Sequence, residues 1–212
     1  MTAHTTRMEL RTRPVGPWPM NTYVLVCPTT HKSVLIDPGA EPETLEQLLA
    51  DTTPVAILLT HTHRDHVGAL DEMRKRLGVP LMAHPGPHAT PIVPDAERWL
   101  QDGDSIRVGE CALKVHHTPG HTQDMLCFAV EGGHQVVVGD TIFEGGPGKT
   151  WSAADFRTTL QTLRTKILSW PDDTVCYPGH GPHFRIGDLR PAIAAFVAKD
   201  HGDFYGDASW EM

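Results

Sequence analysis

Apolar residues gather into short runs separated by turn-forming residues through the first two-thirds of the chain. The runs fall at 23–27, 33–36, 55–59, 81–83, 113–115, 126–130 and 135–138, with another at 174–176, and each has the length of a strand. Val55-Ala56-Ile57-Leu58-Leu59 is apolar at every position, which suits a strand covered on both faces. A three-to-four spacing marks the helices. It appears at Leu45, Leu48 and Leu49, and again at Val67, Leu70 and Leu77, with Gly78 as a stop. It returns at Phe156, Leu160, Leu163 and Ile167, where Ser152 and Asp155 are placed to open the helix. A last helix fits Leu189, Ile193, Phe196 and Val197, with Asp188 as its cap and Gly202 beyond its end.

The order is strands with helix, more strands, then helices, without an internal repeat or a linker. This predicts one α/β domain over residues 1–212, closed by a short tail at 203–212 that carries Phe204, Tyr205 and Trp210. The tail reads either as a packed or frayed end, or as the rim of a substrate pocket or a dimer contact.

A chain of 212 residues buries a core large enough to fold without disulfides or metal, so a metal site in it is expected to be functional. Cys27, Cys111, Cys127 and Cys176 are scattered without a C-x-x-C pair and read as buried reduced thiols. No apolar leader occupies the first 20 residues and no apolar run approaches about 18 residues, so a cytoplasmic protein without a membrane partner is expected. The net charge of −8 argues against nucleic acid as a partner. Against that acidic background stand 14 histidines, an excess of the commonest metal-binding side chain.

Their densest cluster lies in Leu59-Thr60-His61-Thr62-His63-Arg64-Asp65-His66-Val67-Gly68, between a buried strand and an amphipathic helix. His61 and His63, two apart in extended chain, project the same way, while Asp65 and His66 sit where the chain turns into the helix. Four ligand-capable side chains thus converge at one strand end. Three more strand ends each offer one ligand on a glycine-containing turn: His117-Thr118-Pro119-Gly120-His121, Val138-Gly139-Asp140 and Tyr177-Pro178-Gly179-His180-Gly181. Gly145-Gly146-Pro147-Gly148-Lys149-Thr150 ends like a phosphate-binding loop, but Phe143 stands where that motif needs its first glycine.

The full run T-H-x-H-x-D-H at 60–66, with Leu35-Ile36-Asp37-Pro38-Gly39 before it and the later turns after it, resembles the metallo-β-lactamase superfamily and, within it, the glyoxalase II-like hydrolases. The resemblance implies a four-layer αββα sandwich. It implies a first metal on His61, His63 and His121, a second on Asp65, His66 and His180, and Asp140 bridging them together with a hydroxide. The donor set suits two zinc ions, with iron or manganese as alternatives, and Asp65 would also orient the nucleophile. Lys149, in the loop after the bridging aspartate, would contact the carboxylate of a glutathione moiety. Trp151 replaces an aromatic hydroxyl usual in that family, and the family's large C-terminal glutathione-binding domain is absent.

The activity implied is hydrolysis of an acyl thioester such as S-lactoylglutathione, because a thiolate departs without an acid to protonate it. The alternatives are a mononuclear-iron persulfide dioxygenase, using His61, His121 and Asp140, and a lactonase or other ester hydrolase. Of the remaining histidines, His84 and His117 are expected to brace the metal ligands. His4, His31, His88, His134, His183 and His201 lie in polar surroundings.

Overall fold

The computed structural model describes residues 7–92 and 95–212, so His4 lies outside the described residues. Two six-stranded sheets pack face to face. The first runs, in spatial order, β1 (Glu9–Val15), β2 (Met20–Val26), β3 (Lys32–Ile36), β4 (Thr53–Leu58), β5 (Leu81–Ala83) and β6 (Arg98–Trp99). The second runs β7 (Ser105–Val108), β8 (Cys111–His117), β9 (Leu126–Val130), β10 (Gln135–Gly139), β11 (Val175–Pro178) and β12 (Phe184–Arg185). Helices α1 (Pro42–Leu48), α2 (Arg64–Val67) and α3 (Leu70–Leu77) lie on the first sheet; α4 (Ala153–Thr165) and α5 (Ile186–Ala198) lie on the second. This is the αββα sandwich.

Strand alternation explains the continuous apolar runs. Ala56 and Leu58 of β4 point into the layer between the sheets, where they meet Tyr23, Leu25, Val34, Ile36 and Phe128. Ile57 and Leu59 point the other way, onto Leu45, Leu70 and Met73 of the helices. On the second sheet, Val137 faces the first sheet while Val136 and Val138 face Phe156, Leu163 and Phe196. Both faces of these runs are covered by apolar side chains, which is why they read as unbroken apolar stretches. All four cysteines are buried and unpaired.

Several elements differ from the sequence pattern. The helix expected over 67–77 is broken into α2 and α3 at Gly68-Ala69. The break occurs where Gly39 and Gly68 bring two backbones into contact: a Cβ on either would strike main-chain oxygen of Asp65 or Gly39. Ile167 falls in a 3-10 turn (Ile167–Ser169) beyond α4, and Asp188 lies in the first turn of α5 with Arg185 at the cap. Ser152 does cap α4: its hydroxyl accepts the Asp155 N–H at 3.1 Å and donates to the Asp155 carboxylate at 2.7 Å. Replacing it with alanine is expected to cost about 1 kcal/mol, read as a lowered urea midpoint with unchanged slope.

The parallel pairs β3/β4 and β10/β11 set the position of the ligand-bearing turns singled out in the sequence. Parallel strands deliver their carboxyl ends to one edge of the sandwich, and the connections leaving them meet there.

Candidate metal centre

Asp37 follows β3, His61 follows β4, Asp140 follows β10 and His180 follows β11, while His121 sits on the turn between β8 and β9. His63 is the residue before α2, still extended at φ −65° and ψ 149°, whereas Asp65 and His66 lie within α2. The change from extended to helical backbone sends His61 and His63 to one side of the cleft and Asp65 and His66 to the other.

Two triads result. The Nδ1 of His63 stands 3.1 Å from His61 Nε2 and 2.9 Å from His121 Nε2. In the second, Asp65 Oδ2 is 3.1 Å from His180 Nε2 and 4.0 Å from His66 Nε2. Asp140 lies between them: Oδ1 is 3.5 Å from His66 Nε2, and Oδ2 is 3.6 Å from His121 Nε2 and 3.7 Å from His180 Nε2. The seven side chains named from the sequence are therefore together.

The far nitrogen of each ring fixes which way its lone pair points. His66 Nδ1 donates to Asp37 at 2.9 Å, His121 Nδ1 to the Lys149 carbonyl at 2.7 Å, and His180 Nδ1 to the Pro19 carbonyl at 3.1 Å. The Thr60 hydroxyl donates to Asp37 at 2.6 Å, so its free lone pair accepts His61 Nδ1–H at 3.1 Å. Four Nε2 atoms are thereby aimed into the cleft beside a carboxylate, where each would offer its lone pair to a metal ion once deprotonated. His66 Nε2 and Asp140 Oδ1 are fully buried and have no hydrogen-bond partner. Buried polar atoms left unpaired are costly, and a cation placed among these atoms would satisfy them. The donor set fits divalent metal. Gly179 keeps the space open, since a Cβ there would overlap Asp140 Oδ1 and crowd the His66 ring.

Asp37 is the functional residue that the sequence reading missed as such. It is buried, holds φ 54°, and accepts from the Thr60 N–H, the Thr60 hydroxyl and His66, so one carboxylate braces two ligand rings. His84 and His117 do not brace the ligands as expected. They stack on each other at 4.3 Å, and His117 bonds to the Gln123 carbonyl.

Protonation follows burial and charge. Burial drives the His61, His63 and His121 imidazoles below the ordinary histidine range, reinforced by neighbouring rings. Burial also opposes charge on His66, but Asp140 and Asp37 overcome it and lift its pKa to about 10. The Asp65 bond raises His180. Burial would raise Asp140, yet His66 and the other rings hold it far below the usual carboxylate range. A histidine with a lowered pKa takes up a proton on unfolding as pH falls below about 6.5, which removes stability there. His66, with its raised pKa, gives stability that is complete below about 6.5 and lost as pH rises toward 10. The chelator-treated protein is expected to be most stable near pH 6.5, losing about 1.4 kcal/mol per pH unit for each net proton exchanged on either side. Urea unfolding across pH 5–9 measures this.

A cleft of about 540 Å³ opens over the centre, lined by Arg64, Ala89, Thr90 and Trp151 with the ligand side chains, and a second lobe of about 340 Å³ continues past Pro87, His88 and Gln123. Trp151 stands exposed between the lobes, its ring edge-on to His63. Lys149 lies at the rim, its ammonium 5.2 Å from the Trp151 ring centroid.

Fold and site together define a metalloenzyme built on an αββα sandwich, with its metal cleft at the carboxyl edge of the strands. Residues 15–180 match the Metallo-beta-lactamase superfamily, and the chain belongs to it, as a metallo-hydrolase by class. It is 31% identical over 211 residues to the "Probable metallo-hydrolase YqgX" of Bacillus subtilis, covering 89% of this chain and 99% of that protein. It is 30% identical over 180 residues to the "Hydroxyacylglutathione hydrolase GloC" of Haemophilus influenzae, covering 74% and 84%. Among solved structures, the BLEG-1 B3 metallo-beta-lactamase superposes with a TM-score of 0.77 at 29% identity, covering 86% of this chain and 97% of that one. ETHE1 from Myxococcus xanthus gives 0.77 at 26%, covering 89% and 85%. TTHA1623 in a di-iron-bound form gives 0.72 at 33%, covering 85% and 96%. No helix among the described residues is long and apolar enough to cross a membrane.

Proposed function

We propose that the protein hydrolyses acyl thioesters of small thiols, glutathione conjugates such as S-lactoylglutathione among them, at a dinuclear centre. His61, His63 and His121 would hold one divalent ion, Asp65, His66 and His180 the other, and Asp140 both. The observation that carries this reading is the position of Asp140, whose Oδ2 stands within 4 Å of a histidine from each triad while its Oδ1 faces His66. Two divalent ions, zinc in the first instance, would bring the pKa of a shared water toward neutrality and offset charge on the carbonyl oxygen.

The chain's own residues do the rest. Asp65 is the less buried of the two carboxylates, and His180 and His66 outweigh burial to keep it ionised, so its oxygen orients the attacking water and accepts a proton from it. Trp151 and Ala89 line the cleft, and Lys149, beside the Trp151 ring, would face a carboxylate on the thiol half. Water adds its oxygen to the acyl carbon, the C–S bond breaks, and a carboxylate and a thiol leave. Among the described residues the cleft wall places no neutral acid beside the ligands, which suits a thiolate that departs without one. Relatives named as hydroxyacylglutathione hydrolases support the same substrate class.

The likeness to ETHE1 favours a second reading, a persulfide dioxygenase using one iron on His61, His121 and Asp140. Metal-reconstituted protein offered S-lactoylglutathione, an acyl lactone and glutathione persulfide separates the readings. Free-thiol release from the thioester is expected. Oxygen uptake with the persulfide, or lactone opening without thiol release, would overturn the proposal.

A further inference from the structure

The C-terminal segment is not a frayed end. Trp210 is buried against Phe196, and its indole N–H donates to the Glu144 carbonyl at 2.9 Å while its main-chain N–H donates to the Gly145 carbonyl at 3.1 Å. Further in, Thr150 N–H donates to the Gly206 carbonyl at 3.1 Å, and Gly206 N–H donates to the Thr150 hydroxyl at 3.2 Å. A Cβ on Gly146 would strike the Ala208 carbonyl, so the segment is seated directly on the loop that comes after Asp140. Phe204 packs on Phe156 at its other end. Residue 207 is thus fixed between two anchored positions. Its carboxylate reaches Lys149 Nζ at 3.0 Å.

We infer that Asp207 is a specificity residue: it offsets the Lys149 charge at the cleft mouth and biases the enzyme toward thioesters whose thiol half carries no carboxylate. This rests on the proposed thioester hydrolysis. A carboxylate-bearing substrate must displace Asp207 from Lys149, whereas an uncharged one meets no such competitor. The pair is solvent-exposed, so competition is modest in size and sensitive to salt. Lys149 holds His121 through its main-chain carbonyl, so changing the Asp207 side chain leaves that bond in place.

The test is Asp207→Asn in the full-length, metal-loaded protein, assayed on S-lactoylglutathione and on the uncharged S-acetyl-N-acetylcysteamine. The ratio of kcat/KM for the first over the second is expected to rise about two- to fivefold, through KM, and the rise is expected to vanish in about 0.5 M salt. Calorimetric binding of S-hexylglutathione, which is not hydrolysed, is expected to tighten by the same factor. In a Lys149→Met background the Asp207 change is expected to do nothing. An unchanged ratio in an enzyme that hydrolyses both thioesters overturns the inference and leaves the hydrolase reading standing, as does an equal gain in the Lys149→Met background. A wild-type protein that hydrolyses neither thioester overturns both.

Discussion

Replacing Asp140 with alanine is expected to lower kcat/KM by about 10³- to 10⁴-fold, which corresponds to about 4–5 kcal/mol of transition-state stabilisation. Among the described residues, no other carboxylate lies within 4 Å of histidines from both triads: Asp140 lies 3.5 Å from His66, 3.6 Å from His121 and 3.7 Å from His180. Without it, five imidazoles and Asp65 face each other with one negative charge fewer among them. Bound metal is expected to fall from two ions per chain to one or none, measured by elemental analysis. Asp140→Asn keeps the shape but not the charge and is expected to be nearly as impaired, with an unchanged circular dichroism spectrum. A metal content of two in either variant, or activity within tenfold of wild type, would remove Asp140 from the bridging position.

Asp37→Ala is expected to be the most destabilising single change near the site. It strands the Thr60 N–H, the Thr60 hydroxyl and His66 Nδ1, which donate to Asp37 at 2.7, 2.6 and 2.9 Å in a pocket closed to water. Each buried donor left unpaired costs about 1–3 kcal/mol, and a loss of about 3–5 kcal/mol is expected overall because some donors find new partners. Alanine is also less at ease than aspartate at φ 54°. With the tautomer of His66 and the orientation of His61 both loosened, metal affinity is expected to fall about 10- to 100-fold. Urea unfolding of the chelated protein and competition with a chromophoric chelator measure the two effects separately. Asp37→Asn, which keeps an acceptor and tolerates the backbone, is expected to lie between alanine and wild type in both. A loss below about 1 kcal/mol with unchanged affinity would reduce Asp37 to an ordinary loop residue.

The site was legible from sequence where its information is local. His61, His63, Asp65 and His66 lie within six positions, and their spacing across a strand-to-helix junction already says which way they face. His121, Asp140 and His180 are each a single residue on a glycine turn. Their convergence depends on two sheets bringing distant strand ends to one edge, so only the family resemblance assembled them. Asp37 was beyond reach for the same reason: its partners lie 23 and 29 residues away, and nothing in Asp37-Pro38-Gly39 announces a bond to an imidazole.

In the fold, the strands covered on both faces declared themselves by unbroken apolar runs. The edges did not. β1 carries Glu9, Arg11 and Arg13 and is largely exposed, while β6 and β12 are two residues long. Such strands owe their conformation to the neighbour they pair with rather than to their own pattern. The split between α2 and α3 has a similar origin, since it is the close approach of Gly39 to Gly68 that breaks a helical periodicity which is otherwise continuous. The docking of Trp210 into the loop at 144–146 is a tertiary contact between residues 66 positions apart. Aromatic composition alone did not distinguish a packed tail from a frayed one.

The most direct test of the proposed dinuclear thioester hydrolysis is a metal titration of the chelated protein, with its rate on S-lactoylglutathione measured at each step. Activity is predicted to rise with added zinc and level off at two equivalents per chain, with free thiol released in step with acid. A plateau at one equivalent of iron, with oxygen consumed in place of thioester hydrolysis, would contradict it.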